Sequence, residues 1–220
     1  MYIIILGAPG AGKGTQAENI ARHMKLEHIS TGDLFRQAID KGNKLGDRVK
    51  ECMKKGMLVP DEVTTKMILK RLALDDNKNG ALLDGFPRNI KQARALDKAL
   101  KKKDKVIHKA LYIRVSKEEL VRRLSGRRVC RQCQTPHQVL DEIMGQKEKC
   151  KHCGGELYQR ADDNLEAIKQ RLKIYFSETL PVIEYYKKQG KLVEVDGEGN
   201  IELITARILD RLRKREFITR

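Results

Sequence analysis

The chain begins with Tyr2-Ile3-Ile4-Ile5-Leu6, five positions with almost no polar character, and glycine follows at once. A short run that is apolar on both sides of the pleat predicts a strand covered on both faces, as in parallel sheets. Ala17, Ile20, Ala21 and Met24 then recur at three- and four-residue spacing, which predicts an amphipathic helix. The two periods go on alternating. Strands are predicted at 28–29, 81–83, 110–115 and 191–195. Helices are predicted over 46–55, 89–103, 117–125, 164–189 and 200–215. Leu34, Phe35, Ala38 and Ile39 predict one more helix, with Ser30, Thr31 and Asp33 as candidate caps. This β-α alternation predicts an α/β fold, a parallel sheet with helices on both faces.

Between the first strand and its helix lies Gly7-Ala8-Pro9-Gly10-Ala11-Gly12-Lys13-Gly14-Thr15. It is nearly the phosphate-binding pattern G-x-x-x-x-G-K-[ST]. Glycines let the backbone wrap an anion with its N–H groups turned inward, and the helix N-terminus adds a favourable dipole. Lys13 is placed to reach the outer phosphates. Gly14 stands where Ser or Thr ordinarily meets magnesium, and Thr15 comes one residue late, so its hydroxyl is expected on phosphate.

The strand at 81–83 ends in Asp84, where P-loop folds hold the magnesium shell. Gly85-Phe86-Pro87 is a tight loop, and Arg88 opens a helix that carries Gln92. Open α/β sheets bind ligands at that end of their strands, so Arg88 is a candidate phosphate contact. Arg36 projects from the first turns of its own helix as another.

Cys130/Cys133 and Cys150/Cys153 are two Cys-x-x-Cys pairs with 16 residues between them, and Cys52 is the fifth cysteine. Such spacing predicts a closed four-cysteine metal site. Zinc is the default metal, iron also accepts four thiolates, and His152 inside the second pair is a rival ligand. Cys52 reads as a small, half-buried residue.

Composition adds charge to this picture: 46 Lys and Arg against 30 Asp and Glu, a net +16. The balance favours phosphate-bearing partners, while Lys101-Lys102-Lys103 and the stretch from Arg211 to Arg215 read as solvated surface. No apolar run is long enough to span a bilayer and no secretory leader is expected, so the chain is expected to be cytoplasmic.

GAPGAGKGT at 7–15, STGDLFR at 30–36, DGFPR at 84–88 and RADDN at 160–164, in this order and spacing, resemble adenylate kinase, in the long form whose inserted lid carries four zinc-binding cysteines in some members. The resemblance covers essentially the whole chain. It implies a P-loop NTPase-type core at 1–29, 60–126 and 164–220, a helical AMP-binding insert at 30–59 and a zinc lid at 127–163. It implies ATP on Gly10, Ala11, Gly12, Lys13, Gly14 and Thr15, with Arg127, His137 and Gly199 at the adenine. It implies AMP against Thr31, Arg36, Val59, Gly85, Arg88, Gln92, Arg160 and Arg171. Lys13, Arg88, Arg123, Arg160 and Arg171 then carry catalysis, Asp84 orients hydrated magnesium, and Asp162 and Asp163 form an acidic pair in the lid. Gln134 after Cys133 and Pro136-His137-Gln138 beyond it depart from the family's Gly and aromatic–His pattern.

The implied partners are ATP, AMP and ADP, with Mg²⁺ and a structural Zn²⁺. A monomer is implied, with no obligate protein partner, no membrane and no nucleic acid. A lid of about forty residues seldom holds a core unaided, so the metal replaces one. Two rival readings stand beside this one. The first keeps the fold and changes the acceptor to UMP, CMP or GMP; Thr31 and Gln92 favour adenine, since each can hydrogen-bond its edge. The second is a nucleic-acid-binding zinc-knuckle protein, which gives Asp84 and Arg88 no role and lacks an aromatic stacking platform.

Overall fold

The computed structural model describes residues 1–74, 79–139 and 149–213. The predicted helix over 200–215, the charged stretch ending at Arg215 and part of the expected lid therefore lie partly outside the described residues.

The central sheet is built from β1 Tyr2–Leu6, β2 Glu27–Ser30, β3 Ala81–Asp84, β4 Lys109–Arg114 and β8 Leu192–Asp196. These five strands are parallel and lie in the order β2-β3-β1-β4-β8. Each predicted strand is present, displaced by no more than two residues at either end. All five residues of β1 are buried, because β1 lies in the middle of the sheet with helices on both sides.

The pleat divides the core in two. Ile3 and Ile5 face one layer with Ala17, Ile20 and Ala21 of α1 (Lys13–Met24) and Ile204, Ile208 and Leu212 of α9 (Ile201–Arg213). Tyr2, Ile4 and Leu6 face the other, with Ala93, Leu96 and Leu100 of α5 (Ile90–Lys101). Each fully buried isoleucine contributes about 1.5–3 kcal/mol to holding its layer.

Residues 30–59 carry α2 (Thr31–Asp40) and α3 (Lys44–Lys54) over a small core of Phe35, Val49 and Val59. Ser30 and Asn43 cap these helices, accepting the N–H of Asp33 at 3.2 Å and of Gly46 at 3.0 Å. The next helix, α4 (Asp61–Arg71), was not evident in the apolar pattern; among its residues only Thr64 and Ile68 are buried. α6 (Lys117–Ser125) matches its prediction. Beyond it, β5 (Arg127–Cys130), β6 (Pro136–Gln138) and β7 (Leu157–Tyr158) make a small antiparallel sheet in the expected lid.

One helix was predicted over 164–189. The chain instead forms α7 (Leu165–Ile174), a π-helical turn over Tyr175–Thr179, and α8 (Leu180–Lys187). Pro181 explains the break: it has no N–H to donate and its ring crowds the preceding turn. The turn also lets Thr179 Oγ1 donate to the Arg88 carbonyl at 2.8 Å.

Candidate active site

The first and most apolar strand delivers the phosphate loop. At its end, Gly10 has φ 88°, and a Cβ there would come within 2.9 Å of Leu124 Cγ and 3.0 Å of the Leu120 carbonyl. Only glycine allows this close approach. Ala11 N–H turns back to the Ala8 carbonyl at 3.1 Å. Gly12 is the N-cap of α1 and brings no side chain to the first helical N–H groups. Those donors, from Gly12 through Thr15, stay available to an anion.

Lys13 Nζ donates to the Ala8 carbonyl at 2.9 Å, which holds it over the loop. Burial lowers its pKa to about 8; Asp84 opposes the shift, and the charges of Arg88, Arg171 and Arg127 add to it. Lys13, Arg88 and Arg171, from three segments of the chain, line one cleft, and Arg127 is near enough for its charge to act on Lys13. Arg88 is depressed in the same way, by burial first and Arg171 next. Arg160 is lowered by burial and then by Arg36 and Arg127, and its buried Nε has no hydrogen-bond partner among the described residues. Like charges held together with unspent donors form a site that an anion completes.

Gly85 (φ 78°) sits where a Cβ would meet Thr31 Oγ1 at 2.3 Å. Its carbonyl accepts Arg88 Nε at 2.9 Å, and the Asp84 carbonyl accepts Thr31 Oγ1 at 3.1 Å. Thr31, Gly85, Arg88 and Gln92 thus gather at the end of β3. Arg36 pairs with Asp33 at the edge of the insert, and Val59 lies in the insert's own core.

Asp84 Oδ2 faces the loop, 3.5 Å from where a Cβ on Gly14 would lie. Burial alone would raise its pKa; His28, Lys13 and Arg88 overcome that and hold it below the usual carboxylate range. Sequence reasoning gave His28 no role, yet its Nε2 lies 3.9 Å from Asp84 Oδ2. The only signal available was its place two residues before Ser30 on a strand that ends beside Asp84. An ionised carboxylate beside a phosphate loop with no hydroxyl at position 14 fits magnesium held through water.

Arg123 crosses above the loop, with Nη1 3.9 Å from the Cβ position on Gly12. Its Nε donates to Glu119 at 2.6 Å and its Nη2 to the Gly197 carbonyl at 3.1 Å. Hydrogen bonds from Arg122 and then Arg123 bring Glu119 down to about 2 despite burial. Gly199 (φ 119°) follows in the same loop, beside Leu203. Arg127 and Arg171 both donate to Asp163, whose side chain is fully buried, and Arg171 also pairs with Asp162 at 3.2 Å.

In the small sheet, the Sγ atoms of Cys130, Cys133, Cys150 and Cys153 all lie within 4.8 Å of one another. Cys130 and Cys153 are 3.4 Å apart, Cys133 and Cys150 3.5 Å. Tetrahedral zinc with Zn–S bonds of about 2.3 Å sets sulfurs roughly 3.8 Å apart, so the cluster has the right size. Backbone N–H groups of Gln132 and His152 donate to Cys130 and Cys150 at 3.4 Å, as thiolates require. His152 reaches the cluster by its backbone. His137 Nε2 is turned to Cys150 Sγ at 3.2 Å.

Comparison with known proteins places this geometry. The family model described as adenylate kinase matches residues 5–191. A protein named adenylate kinase from Dehalococcoides mccartyi is 53% identical over 215 residues, 97% of this chain and 99% of the relative. One from Alkaliphilus oremlandii is 48% identical over 212 residues, 96% and 98% of the two chains. One from Methanocella arvoryzae is 46% identical over 214 residues, 97% and 99%. With its phosphate loop, its converging arginines and relatives that match it nearly end to end, the chain belongs to the adenylate kinase family.

Proposed function

We propose that the protein moves the γ-phosphoryl group of magnesium-bound ATP to AMP, reversibly, giving two ADP. The observation that carries this reading is the convergence of Lys13, Arg88 and Arg171 on one cleft beside the ionised Asp84. The acceptor phosphate is already an anion, so the transfer needs no general base. The obstacle is repulsion between two polyanions, on the order of 4 kcal/mol per pair of unit charges at 4 Å in an intermediate dielectric. A ring of cations removes it and stabilises charge on the equatorial oxygens of the transferring group. Guanidinium groups suit the task, being planar, permanently charged and bidentate.

In this reading ATP lies along residues 10–15, with Arg123 over its phosphates and Arg127 and Gly199 towards its adenine; His137, whose Nε2 stays on Cys150 Sγ, offers the adenine its ring face. AMP lies between Thr31, Arg36, Val59, Gly85, Arg88 and Gln92, and Arg160 and Arg171 close on the phosphates from the lid side. Asp84 orients the water shell of magnesium, which neutralises phosphate charge when bound. Residues 30–59 and 127–163 move as separate bodies on the core at 1–29, 60–126 and 164–220. The four cysteines hold a structural zinc, with no open position for catalysis. A lid so stiffened keeps water from competing as acceptor.

No helix among the described residues is long and apolar enough to cross a membrane. None of the five cysteines is in a disulfide, which suits a reducing compartment and the cytoplasm. A monomer without an obligate protein partner agrees with the resemblance. The direct test mixes the protein with Mg²⁺-ATP and AMP, UMP, CMP or GMP in turn and counts nucleotides by chromatography. Two ADP per AMP consumed, with AMP alone, supports the reading. Transfer to another monophosphate changes the acceptor, and no transfer to any rejects the activity.

A further inference from the structure

Gln92 is held so that its carboxamide cannot turn over. Its Oε1 accepts the Arg88 backbone N–H at 2.8 Å, and its Nε2 donates to Asp61 Oδ1 at 2.8 Å. A backbone amide only donates and a carboxylate only accepts, so the chemistry of the partners fixes which end is oxygen. Asp61 Oδ1 also accepts Asn89 Nδ2 at 2.9 Å. Asn89 Oδ1 in turn accepts the Gln92 backbone N–H at 2.9 Å, so that amide is oriented too. Gln92 is only 2% exposed, which leaves it little room to adjust.

Capping explains part of this arrangement. Asn89 is the N-cap of α5, and Gln92, three residues on, reaches back to the backbone as in a capping box. Asp61 is not needed for that. It comes from the first turn of a different helix, α4, 31 residues earlier. Its position makes one carboxylate the common acceptor for two amides.

We propose that Asp61 is a positioning residue that sets which base the acceptor site takes. The proposal rests on the reading that Gln92 faces the base of the acceptor nucleotide. After its internal bonds, Gln92 keeps one N–H and one lone pair on Oε1. Adenine offers an amino donor beside a ring-nitrogen acceptor. Guanine offers a carbonyl acceptor beside an N–H donor, the reverse order. A carboxamide free to rotate by half a turn matches either. Clamped by an acceptor on one side and a donor on the other, it matches one order and sets like against like in the other. A matched pair of such bonds discriminates between bases by about tenfold to a hundredfold.

The experiment measures kcat/KM for AMP and for GMP with Mg²⁺-ATP, using the full chain. The variants are Asp61→Asn, Asp61→Ser, Asp61→Glu and Gln92→Ala. Asparagine and serine offer a donor as well as an acceptor, so either removes the acceptor-only half of the clamp and leaves the Arg88 N–H as the sole remaining constraint on the carboxamide. The expected result is an AMP-to-GMP ratio lowered about tenfold in both, with KM for ATP unchanged. Asp61→Glu keeps an acceptor-only group and is expected to keep most of the ratio. Asp61→Ser provides the test if Asp61→Asn does not fold. A merely structural role would lower both rates together, and an unchanged ratio in the Asp61 variants overturns the proposal. Gln92→Ala separates the two failures. If it leaves the ratio unchanged, the reading of Gln92 is wrong. If it collapses the ratio while the Asp61 variants do not, the clamp alone is wrong.

Discussion

Arg127 and Asp163 form a two-pronged ion pair at the foot of the small antiparallel sheet. Nε donates to Oδ2 at 2.7 Å and Nη2 to Oδ1. Arg127 begins β5 and Asp163 ends the short 3-10 turn before α7, so the pair ties the start of the small sheet to the turn that leads into α7. Arg171 adds a third bond to the same carboxylate, at 2.9 Å. Without Asp163, Arg127 loses its two-pronged partner and Arg171 keeps Asp162 alone.

Asp163→Asn is therefore expected to destabilise the nucleotide-free protein. Breaking one side of a buried pair costs about 3–5 kcal/mol. At roughly 2–4 °C per kcal/mol for a chain of this size, Tm falls by about 10 °C. Calorimetry with and without ATP makes the check. The nucleotide's phosphates supply the missing anion, so ATP should raise Tm more in the variant than in the wild type. Equal Tm values for the two proteins without nucleotide would rule out this account of the ion pair.

Arg88→Ala is expected to lower kcat by about a thousandfold or more while leaving the fold in place. Arg88 touches the surrounding structure through Nε to the Gly85 carbonyl, and its backbone carbonyl keeps its bond from Thr179 in the variant. Arg88→Lys should recover little, because an ammonium cannot reproduce the two-pronged contact. Turnover assays beside thermal melts distinguish lost chemistry from lost structure, and turnover within tenfold of wild type would remove Arg88 from the transfer step.

Metal analysis of the purified protein should find one zinc per chain. Chelation should expose four rapidly titrating thiols, lower Tm and reduce turnover together, since binding free energy at a site of this kind is folding free energy. A Cys150→Ser variant should behave like the chelated protein. A coloured, iron-containing protein would keep the four-thiolate site and change its metal. A metal-free protein with full stability and activity would leave the cluster without the role proposed for it.

The sequence was most legible where local chemistry leaves few choices. β1 and β3 read as buried strands because both their faces are covered, and the glycines around Lys13 announced the anion site. The cysteine pairs were legible by spacing alone. α4 was harder to see, since Val63, Thr64 and Thr65 blur its apolar stripe and its packing comes from neighbours distant in the chain. Asp61 was missed with it. His28 was missed for a related reason: nothing local shows that a strand side chain will face Asp84 on the next strand. The π-helical turn was signalled by Pro181, but its purpose, bringing Thr179 to Arg88, depends on a contact 91 residues away.

Lys13 gives the pH dependence. Burial brings it to about 8 in the nucleotide-free protein, against an ordinary value of about 10.4. Below pH 8 the ammonium is charged in both folded and unfolded chains, so this group adds no pH dependence there. Between about pH 8 and 10.4 the unfolded chain keeps the proton that the folded site has released, so stability from this group rises with pH across that window. Binding runs the other way. Phosphate oxygens favour the charged ammonium, so ATP bound above pH 8 must draw a proton from solution. Its affinity should then weaken by up to about tenfold per pH unit. Titration calorimetry at pH 9, in two buffers with different ionisation enthalpies, measures that proton directly. Uptake approaching one proton per ATP is expected for the wild type and none for Lys13→Arg, whose guanidinium stays charged at that pH. Zero uptake by the wild type would mean that Lys13 is still protonated in the empty site, and that Asp84 outweighs the cost of its burial.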